Sequence, residues 1–428
     1  MTNPARGGDR PYPIRPISSD EFDDFQTVAM HAFHGSPMSQ EDRELVVSRL
    51  EFDRSLAAFD GTLQVGTAAA YSYQLTVPGH RALPAAGVTW VSVLPSHRRR
   101  GVLSSLMRRQ LVDVRDRGEP VAVLWASETP IYPRFGYGRA MWHADFTLHR
   151  GEGTLVKRVQ ADEGLRLRLV DPAEVMPELA KVYDAVLPSR PGFIARNEVW
   201  WRSATYDPPG ERHGATPLRC VLAEDDSGPR GYALYRAEDR WDATSLPDSL
   251  LNVREVMSAD PAAGVLLWVD LLGRDLTTEF SIRQRPVDDP LLYQLADPRR
   301  ARPRLKDGLW VRIIDVPGAL SRRRYSGPAD VVIEVRDDLL PSNAGRWRLA
   351  TAGGVPGDGS GLEASCVPAS VPADVVLDVT ELGAAYLGGT PVGALAAAGL
   401  VTERRAGAVR QLSAAMSWDL APWCPVNF

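Results

Sequence analysis

Hydrophobic and polar positions alternate most clearly in the segment that runs from Trp90 to Ala126. Trp90, Ser92 and Leu94 alternate with Val91 and Val93, which predicts a strand that ends before Pro95. After the following turn, apolar residues recur at helical spacing and form one stripe: Val102, Leu103, Leu106, Met107, Leu111 and Val114. The near-continuous apolar run at 121–126 is typical of a buried parallel strand. The segment is therefore predicted to form a βαβ unit.

The turn before the helix of this unit carries the candidate chemistry. The first amides of a helix lack partners within the helix, so they can bind an anion at that end. Arg98, Arg99 and Arg100 add positive charge, and Gly101 lets the backbone approach a ligand closely. A pyrophosphate-bearing ligand is the expected occupant.

The arginine run is also compatible with a solvated charged surface or with a nucleic-acid patch. The formal net charge of the chain is −5, which disfavours nucleic acid as a partner. The turn also lacks the Gly-Lys-Ser/Thr ending of a Walker loop and the Gly-x-Gly-x-x-Gly dinucleotide fingerprint. The ligand is therefore expected to be neither a hydrolysed triphosphate nor NAD.

The motif Val-x-Pro-x-x-Arg-Arg-x-Gly at 93–101 resembles the acetyl-CoA pyrophosphate loop of the GNAT superfamily of N-acetyltransferases. The segment Trp-Ala-Ser-Glu-Thr-Pro-Ile-Tyr-Pro-Arg-Phe-Gly-Tyr-Gly at 125–138 is similar to the strand, turn and tyrosine-bearing helix of the Eis (enhanced intracellular survival) acetyltransferases. The chain length, the strand end at 75–79 and the terminal sequence at 423–428 are also similar to that family.

The resemblance implies an α/β (α+β) subunit of three parts. Residues 1–150 would form an acetyl-CoA-binding GNAT domain, and residues 151–303 a degenerate GNAT-like domain without a cofactor loop. Residues 304–428 would form a domain shaped like a sterol-carrier protein. The resemblance also implies a homohexamer that uses acetyl-CoA to acetylate amines, often at several positions of one aminoglycoside.

The pattern outside the βαβ unit predicts mixed α/β structure. In the first part, a strand at 142–148 is expected to close the domain. In the middle part, a strand at 265–270 is expected to lead into 271–275, where one arginine and one aspartate make a poor pyrophosphate pocket. The middle part is therefore expected to be structural or to form a wall of the substrate cleft. In the last part, a strand is expected at 308–316 and a short terminal helix at 408–416.

The resemblance assigns the cofactor contacts to one set of residues: Val91, Ser92, Val93, Arg99, Arg100, Gly101, Val102, Leu103, Ser104, Ser127 and Glu128. The backbone amide of Val93 would donate a hydrogen bond to the acetyl carbonyl. Candidates for an amine-binding cleft are Asp23, Asp24, Phe25 and Trp90. No metal is expected, because the seven histidines show no metal-ligand spacing.

Two residues would carry the proton transfers. Tyr132 matches the family's general acid, which protonates the sulfur of coenzyme A, while a packing role is the alternative. Tyr137 is the rival tyrosine and is expected to be structural. The terminal carboxylate of Phe428 would be the general base. The segment that ends there is apolar and contains Pro422 and Pro425, unlike a frayed terminus, and the alternative is a tail that is merely docked.

Composition indicates the compartment in which the protein is expected to work. The three cysteines, Cys220, Cys366 and Cys424, are odd in number and widely spaced, which favours a reducing cytoplasm over a disulfide framework. No stretch approaches the roughly 18 apolar residues of a membrane span. Residues 1–12 lack the apolar core of a signal peptide and are expected to be a disordered leader.

Three functions are compatible with these features. The favoured one is acetyl-CoA-dependent N-acetylation of polycationic amines such as aminoglycosides. The second is transfer to protein lysines or polyamines. The third, from a different class, is a non-catalytic protein whose last domain binds lipid or another ligand.

Overall fold

The structure is a computed structural model that describes residues 12–352 and 361–428. The predicted leader, apart from Tyr12, lies outside the described residues, and so does most of the segment 353–361, whose glycines and proline predict a turn-rich loop. Three β-sheets organise the described chain.

The elements follow one another in three groups. The first group is β1 (Ile14–Pro16), α1 (Phe22–Phe33), α2 (Gln40–Arg49), β2 (Leu56–Asp60), β3 (Leu63–Val77), β4 (Arg81–Val93), α3 (Val102–Asp116), β5 (Val121–Trp125) and β6 (Gly138–Arg139). The second group is β7 (Trp142–His149), β8 (Arg166–Val170), α4 (Met176–Val186), α5 (Glu198–Thr205), β9 (Arg219–Asp225), β10 (Gly228–Glu238), β11 (Ser249–Ser258), α6 (Pro261–Leu272), β12 (Thr277–Pro286), α7 (Pro290–Gln294) and β13 (Arg304–Asp307). The third group is β14 (Leu309–Ile313), α8 (Val316–Arg322), β15 (Asp330–Arg336), β16 (Gly345–Ala352), β17 (Glu363–Pro368), β18 (Val375–Asp378), α9 (Val379–Ala385), α10 (Val392–Ala397), β19 (Val401–Glu403) and α11 (Ala408–Met416). Short 3₁₀ helices lie at Ser19–Glu21, Phe52–Arg54, Pro95–His97, Tyr132–Phe135, Leu187–Ser189, Pro209–Glu211 and Pro298–Ala301.

The first sheet has the strand order β1-β2-β3-β4-β5-β14-β6 and contains the predicted βαβ unit, β4-α3-β5. Helix α3 buries most of the predicted apolar stripe, including Leu106 and Leu111. The strand expected at 308–316 forms as β14, but it pairs with β5 and β6 of this sheet. Its place in the last domain, inferred from its position in the sequence, is therefore wrong.

The second sheet has the order β13-β7-β12-β11-β10-β9-β8. Strand β7 covers the segment expected to close the first domain, but it lies between β12 and β13 of this second sheet. The prediction that it closes the first sheet was wrong, because pairing partners are fixed by contacts distant in sequence. The first two sheets thus exchange strands: β7, which follows the strands of the first sheet in sequence, joins the second, and β14, which follows the strands of the second, joins the first.

A second βαβ unit, β11-α6-β12, lies within the second sheet. Its helix contains residues 265–270, which the sequence analysis predicted as a strand, so that prediction was wrong. The helix begins at Pro261, and the side chain of Asp260 accepts a hydrogen bond from the backbone N–H of Ala263 at 3.0 Å. An N-cap aspartate followed by proline is a helix-start signal, and here it overrides the continuous apolar run.

The third sheet has the order β17-β16-β15-β18-β19, and β15 and β18 are parallel neighbours. Its terminal helix α11 has the bounds predicted from the sequence. The interior of this part contains the buried side chains of Arg323, Tyr325 and Tyr386. The mixture of helices and sheets agrees with the predicted α/β class.

Candidate active site

The candidate site begins where β4 and β5 separate. These two strands are parallel neighbours only between residues 85–87 of β4 and 121–123 of β5. Beyond that point β4 continues to Val93 and β5 to Trp125 without pairing with each other. The facing backbone groups of the two strands are therefore available to a ligand, and we call this gap the β4–β5 opening.

A bulge in β4 shapes this opening. Thr67 of β3 lies opposite Ser92 and Ala69 lies opposite Thr89, so the register shifts around Trp90. Trp90 has a φ of 53°, a left-handed conformation that is costly for a bulky residue. The hydroxyl of Thr67 donates to the carbonyl of Trp90 at 2.6 Å and lies 2.5 Å from Ser92 Oγ. These contacts hold the bulge, which redirects the end of β4.

The predicted anion-binding turn follows the end of β4. Arg99 has a φ of 62° and Gly101 a φ of 82°, and conformations of this kind form concave backbone sites for anions. Within the described residues, no side chain caps the N-terminus of α3. Arg98, Arg99 and Arg100 are exposed, and none of them takes part in an ion pair with any residue that the structure describes. The positive charges of the turn thus lie at the N-terminal amides of α3, and no described residue supplies a counter-ion.

A cavity of about 480 Å³ connects the turn with the opening. Every predicted cofactor residue except Arg100 lines this cavity: Val91, Ser92, Val93, Arg99, Gly101, Val102, Leu103, Ser104, Ser127 and Glu128. Residues 31–34, at the end of α1 and directly after it, also line the cavity, which the sequence analysis missed. No local signal marks those residues, because their place in the cavity depends on how α1 packs against β3 and β4.

Tyr132 lies at the wall of the same cavity, which Glu128 also lines. Its side chain is buried, and burial raises the pKa of its phenol to about 12, with the charge of Glu128 acting in the same direction. Tyr137 packs against it edge-on, with ring centroids 6.0 Å apart, but does not line the cavity. Of the two tyrosines, Tyr132 therefore has access to a ligand.

The C-terminal tail, residues 421–428, is docked between the first two sheets. Trp125, at the end of β5, donates its indole N–H to the carbonyl of Val426 at 3.0 Å. The ring of Phe428 packs edge-on against Tyr73 with centroids 5.0 Å apart. The last residue thus lies beside the β4–β5 opening.

The candidates for an amine-binding cleft are spread over different environments. Trp90 is partly buried and packs on Phe25, with ring centroids 5.8 Å apart. Phe25 is fully buried, so it supports Trp90 from the core rather than lining an open cleft. Asp23 is exposed and pairs with Arg43 at 2.8 Å. Asp24 lines a separate surface depression formed by α1 and the β2–β3 turn.

Three further features bear on the sequence predictions. Cys220, Cys366 and Cys424 are free and buried. Within residues 12–352 and 361–428, no group of His, Cys, Asp and Glu side chains forms a metal-binding cluster. Over the same ranges, no helix combines the length and the apolar character needed to cross a bilayer.

The fold and this site define a GNAT-type N-acetyltransferase. Residues 13–140 and 192–313 match family models of the acetyltransferase (GNAT) domain, and residues 316–425 match the sterol carrier protein domain. The predicted combination of two GNAT domains and a sterol-carrier-like domain is thereby confirmed. GNAT domains use acetyl-CoA as the acetyl donor, which agrees with the cavity described above.

Similar proteins narrow the assignment. The chain is 36% identical to N-acetyltransferase Eis of Mycobacterium tuberculosis, over 84% of this chain and 85% of that protein. It is 43% identical to an uncharacterized N-acetyltransferase of Streptomyces coelicolor, over 97% and 99% of the two chains. The crystal structure of Eis1 from Mycobacterium abscessus has a TM-score of 0.82 at 34% identity and covers 97% of this chain and 100% of that one. The chain belongs to the Eis family of acetyltransferases, as its motifs predicted.

Proposed function

We propose that this N-acetyltransferase acts on the amino groups of polycationic small molecules, aminoglycosides at one or more positions. In this proposal the amine attacks the thioester directly, Tyr132 is the general acid, and the terminal carboxylate of Phe428 is the general base. The observation that carries the proposal is the single cavity that joins the arginine turn, the end of β4 and Tyr132.

The residues of this cavity fit acetyl-CoA. The first amides of α3, which no described side chain caps, and the arginines of the turn suit a pyrophosphate. The unpaired edges of β4 and β5 offer main-chain hydrogen bonds to the extended, amide-containing arm of acetyl-CoA. The Val93 amide, at the end of β4, is the proposed donor to the acetyl carbonyl.

The proton transfers balance across the two proposed residues. A neutral amine forms the new C–N bond while the C–S bond breaks. Phe428 accepts the proton that the amine nitrogen loses, directly or through water, and Tyr132 gives its proton to the departing thiolate. Because burial favours the protonated phenol, Tyr132 holds its proton at neutral pH.

Protein lysines and polyamines remain alternative acceptors of the same chemistry. The net charge of −5 suits all of these cationic acceptors, so the choice of aminoglycosides rests on the membership of the Eis family. A homohexamer in the cytoplasm completes the proposal.

Lipid binding by the last domain is the candidate from another class, and one feature of the structure disfavours it. Arg323 is fully buried there and donates to the carbonyls of Met416, at 2.7 Å, and Tyr386. Its guanidinium lies 4.8 Å from the ring centroid of Tyr325. A buried cation held in this way is costly to place beside an acyl chain.

The test is thiol release from acetyl-CoA by protein with a native C-terminus, in parallel with aminoglycosides, polyamines and lysine peptides. Turnover with aminoglycosides, and mass spectra with one or more added acetyl groups, are the expected results. A preference for lysine peptides would show that the acceptors are protein lysines and not aminoglycosides. Silence with every amine, together with co-purifying lipid, would favour the non-catalytic alternative.

A further inference from the structure

The second βαβ unit has the architecture of a cofactor site but not its chemistry. Strands β11 and β12 pair only from Ser249 to Val253 on β11 and then separate, as β4 and β5 do. At the start of α6, however, the Asp260 carboxylate already caps the helix and pairs with Arg230 at 2.9 Å. Proline at 261 removes one further amide. The anion position of this helix is thus filled by the protein itself.

The C-terminal tail lies at this β11–β12 opening. Trp423 donates its indole N–H to the carbonyl of Gln284 at 2.6 Å and its backbone N–H to Pro191 at 2.8 Å. Its ring belongs to the core of the second domain, 5.3 Å from the ring of Phe193 between centroids. A cavity of about 160 Å³ remains beside it, lined by Arg254, Glu255 and Gln284 together with residues 425–427 of the tail, among others.

The ion pair between Arg190 and Asp288 holds the start of the tail, because it binds both the carbonyl and the N–H of Ala421. Arg190 donates to Asp288 at 2.6 Å and to the carbonyl of Ala421 at 2.7 Å. The other carboxylate oxygen of Asp288 accepts the backbone N–H of Ala421 at 2.9 Å. Both side chains are largely buried, with 11% of Arg190 and 24% of Asp288 exposed. Hydrogen bonds with a charged partner in such a setting are stronger than neutral ones.

Close packing continues along the tail toward the first domain. A Cβ at Gly192 would lie 2.9 Å from the carbonyl oxygen of Trp423, so only glycine allows this approach, and its φ is 96°. From there the tail crosses to Trp125 and ends with Phe428 against Tyr73. The tail therefore spans from the β11–β12 opening of the second domain to the β4–β5 opening of the first.

We propose that the second domain serves as an intramolecular receptor for the C-terminal tail, which lies where a cofactor would lie in a working GNAT domain. Arg190 and Asp288 are positioning residues that fix the place of the terminal carboxylate. The receptor role stands on the contacts above. The consequence for turnover rests on the proposed function, in which that carboxylate is the base.

The test uses the full-length protein and its Asp288→Asn variant. The matched control is Asp270→Asn, because Asp270 of α6 is 25% exposed and pairs with Arg274, and among the described residues no hydrogen bond or ion pair joins it to the tail. Hydrogen exchange of the peptide 417–428 measures docking, and kcat and the KM for acetyl-CoA measure function. We expect Asp288→Asn to speed tail exchange and to lower kcat at least tenfold, with the KM within twofold. We expect no such changes in Asp270→Asn.

Two further variants separate the possible failures. Trp423→Phe, which loses the hydrogen bond to Gln284, replaces Asp288→Asn if that variant does not fold. A variant with one glycine added after Phe428 tests the base independently. Unchanged tail exchange in Asp288→Asn overturns the receptor. Faster exchange with normal kcat overturns the positioning role, and the glycine variant then shows whether the base assignment fails with it or survives.

Discussion

Tyr132→Phe removes one oxygen atom and leaves the packed ring in place. No hydrogen-bond partner of this hydroxyl is found among the residues that the structure describes, so the fold should lose at most about 0.5 kcal/mol. General acid catalysis contributes roughly 10²–10⁴-fold to a rate. Each factor of ten equals about 1.4 kcal/mol, so the barrier should rise by about 3–5 kcal/mol. We therefore expect a fall in kcat of at least a hundredfold.

The pKa of Tyr132 makes this prediction sharper. Burial, and to a smaller extent Glu128, raises it to about 12, and an acid works only in its protonated form. At pH 9 only about one phenol in a thousand is then ionised. The kcat of the wild-type enzyme should consequently show no alkaline decline up to about pH 10, and a decline with a midpoint near 9 would contradict the assignment.

The assay is steady-state thiol release with a native C-terminus, at saturating amine and varied acetyl-CoA. Tyr137→Phe is the matched control, since it removes the same atom from the neighbouring ring, which is buried and does not line the cavity. That control should keep kcat within about threefold. A Tyr132→Phe enzyme that also stays within threefold, while binding acetyl-CoA normally, would refute the general-acid role.

Arg99→Ala should weaken acetyl-CoA binding, measured by calorimetry, about tenfold, because a charged contact to the pyrophosphate is lost. Arg100→Ala should weaken binding less, because Arg100 does not line the cavity. The reverse order would show that the pyrophosphate lies nearer to Arg100 than to Arg99. One residue added after Phe428 should lower kcat about tenfold and leave acetyl-CoA affinity unchanged, and full activity in such a protein would remove the carboxylate from the mechanism. Glu119→Gln should lower the free energy of unfolding, measured with urea, by about 3 kcal/mol. The buried Arg54, which lies 2.6 Å from Glu119 in the wild type, would lose its anionic partner. A loss below about 1 kcal/mol would show that water or Glu51 compensates for the lost charge.

The first βαβ unit was predictable because its signals are local. Pro95 ends a strand, Gly101 opens a helix at positive φ, and the apolar stripe of α3 has helical spacing. The chemistry of the turn follows from the same residues, since the arginines and the helix amides are neighbours in sequence. Ten of the eleven residues assigned to the cofactor accordingly line one cavity, and their contacts with acetyl-CoA stay a prediction.

The parts that the sequence could not predict depend on distant contacts. Nothing within 142–149 or 309–313 indicates which sheet each strand joins, and the sheets exchange them. The helix at 261–272 was mistaken for a strand because both of its faces carry apolar residues, although Asp260 marked its start. The role of the second domain toward the tail is of the same kind, because its contacts join Arg190 and Asp288 to residues more than 130 positions away.

The two proposed proton-transfer residues approach the β4–β5 opening from opposite faces of the first sheet. Alternate residues of a strand face opposite sides, and Tyr132 packs with Ala86 on the α3 side. Phe428 packs with the cluster that contains Ala85 and Tyr73, on the other side. In the proposed mechanism, an amine that enters from the tail side would lose its proton there, and the thiolate would take its proton from Tyr132. The separation of β4 and β5 beyond residues 87 and 123 is the feature that would let two groups on opposite faces of one sheet serve the same thioester.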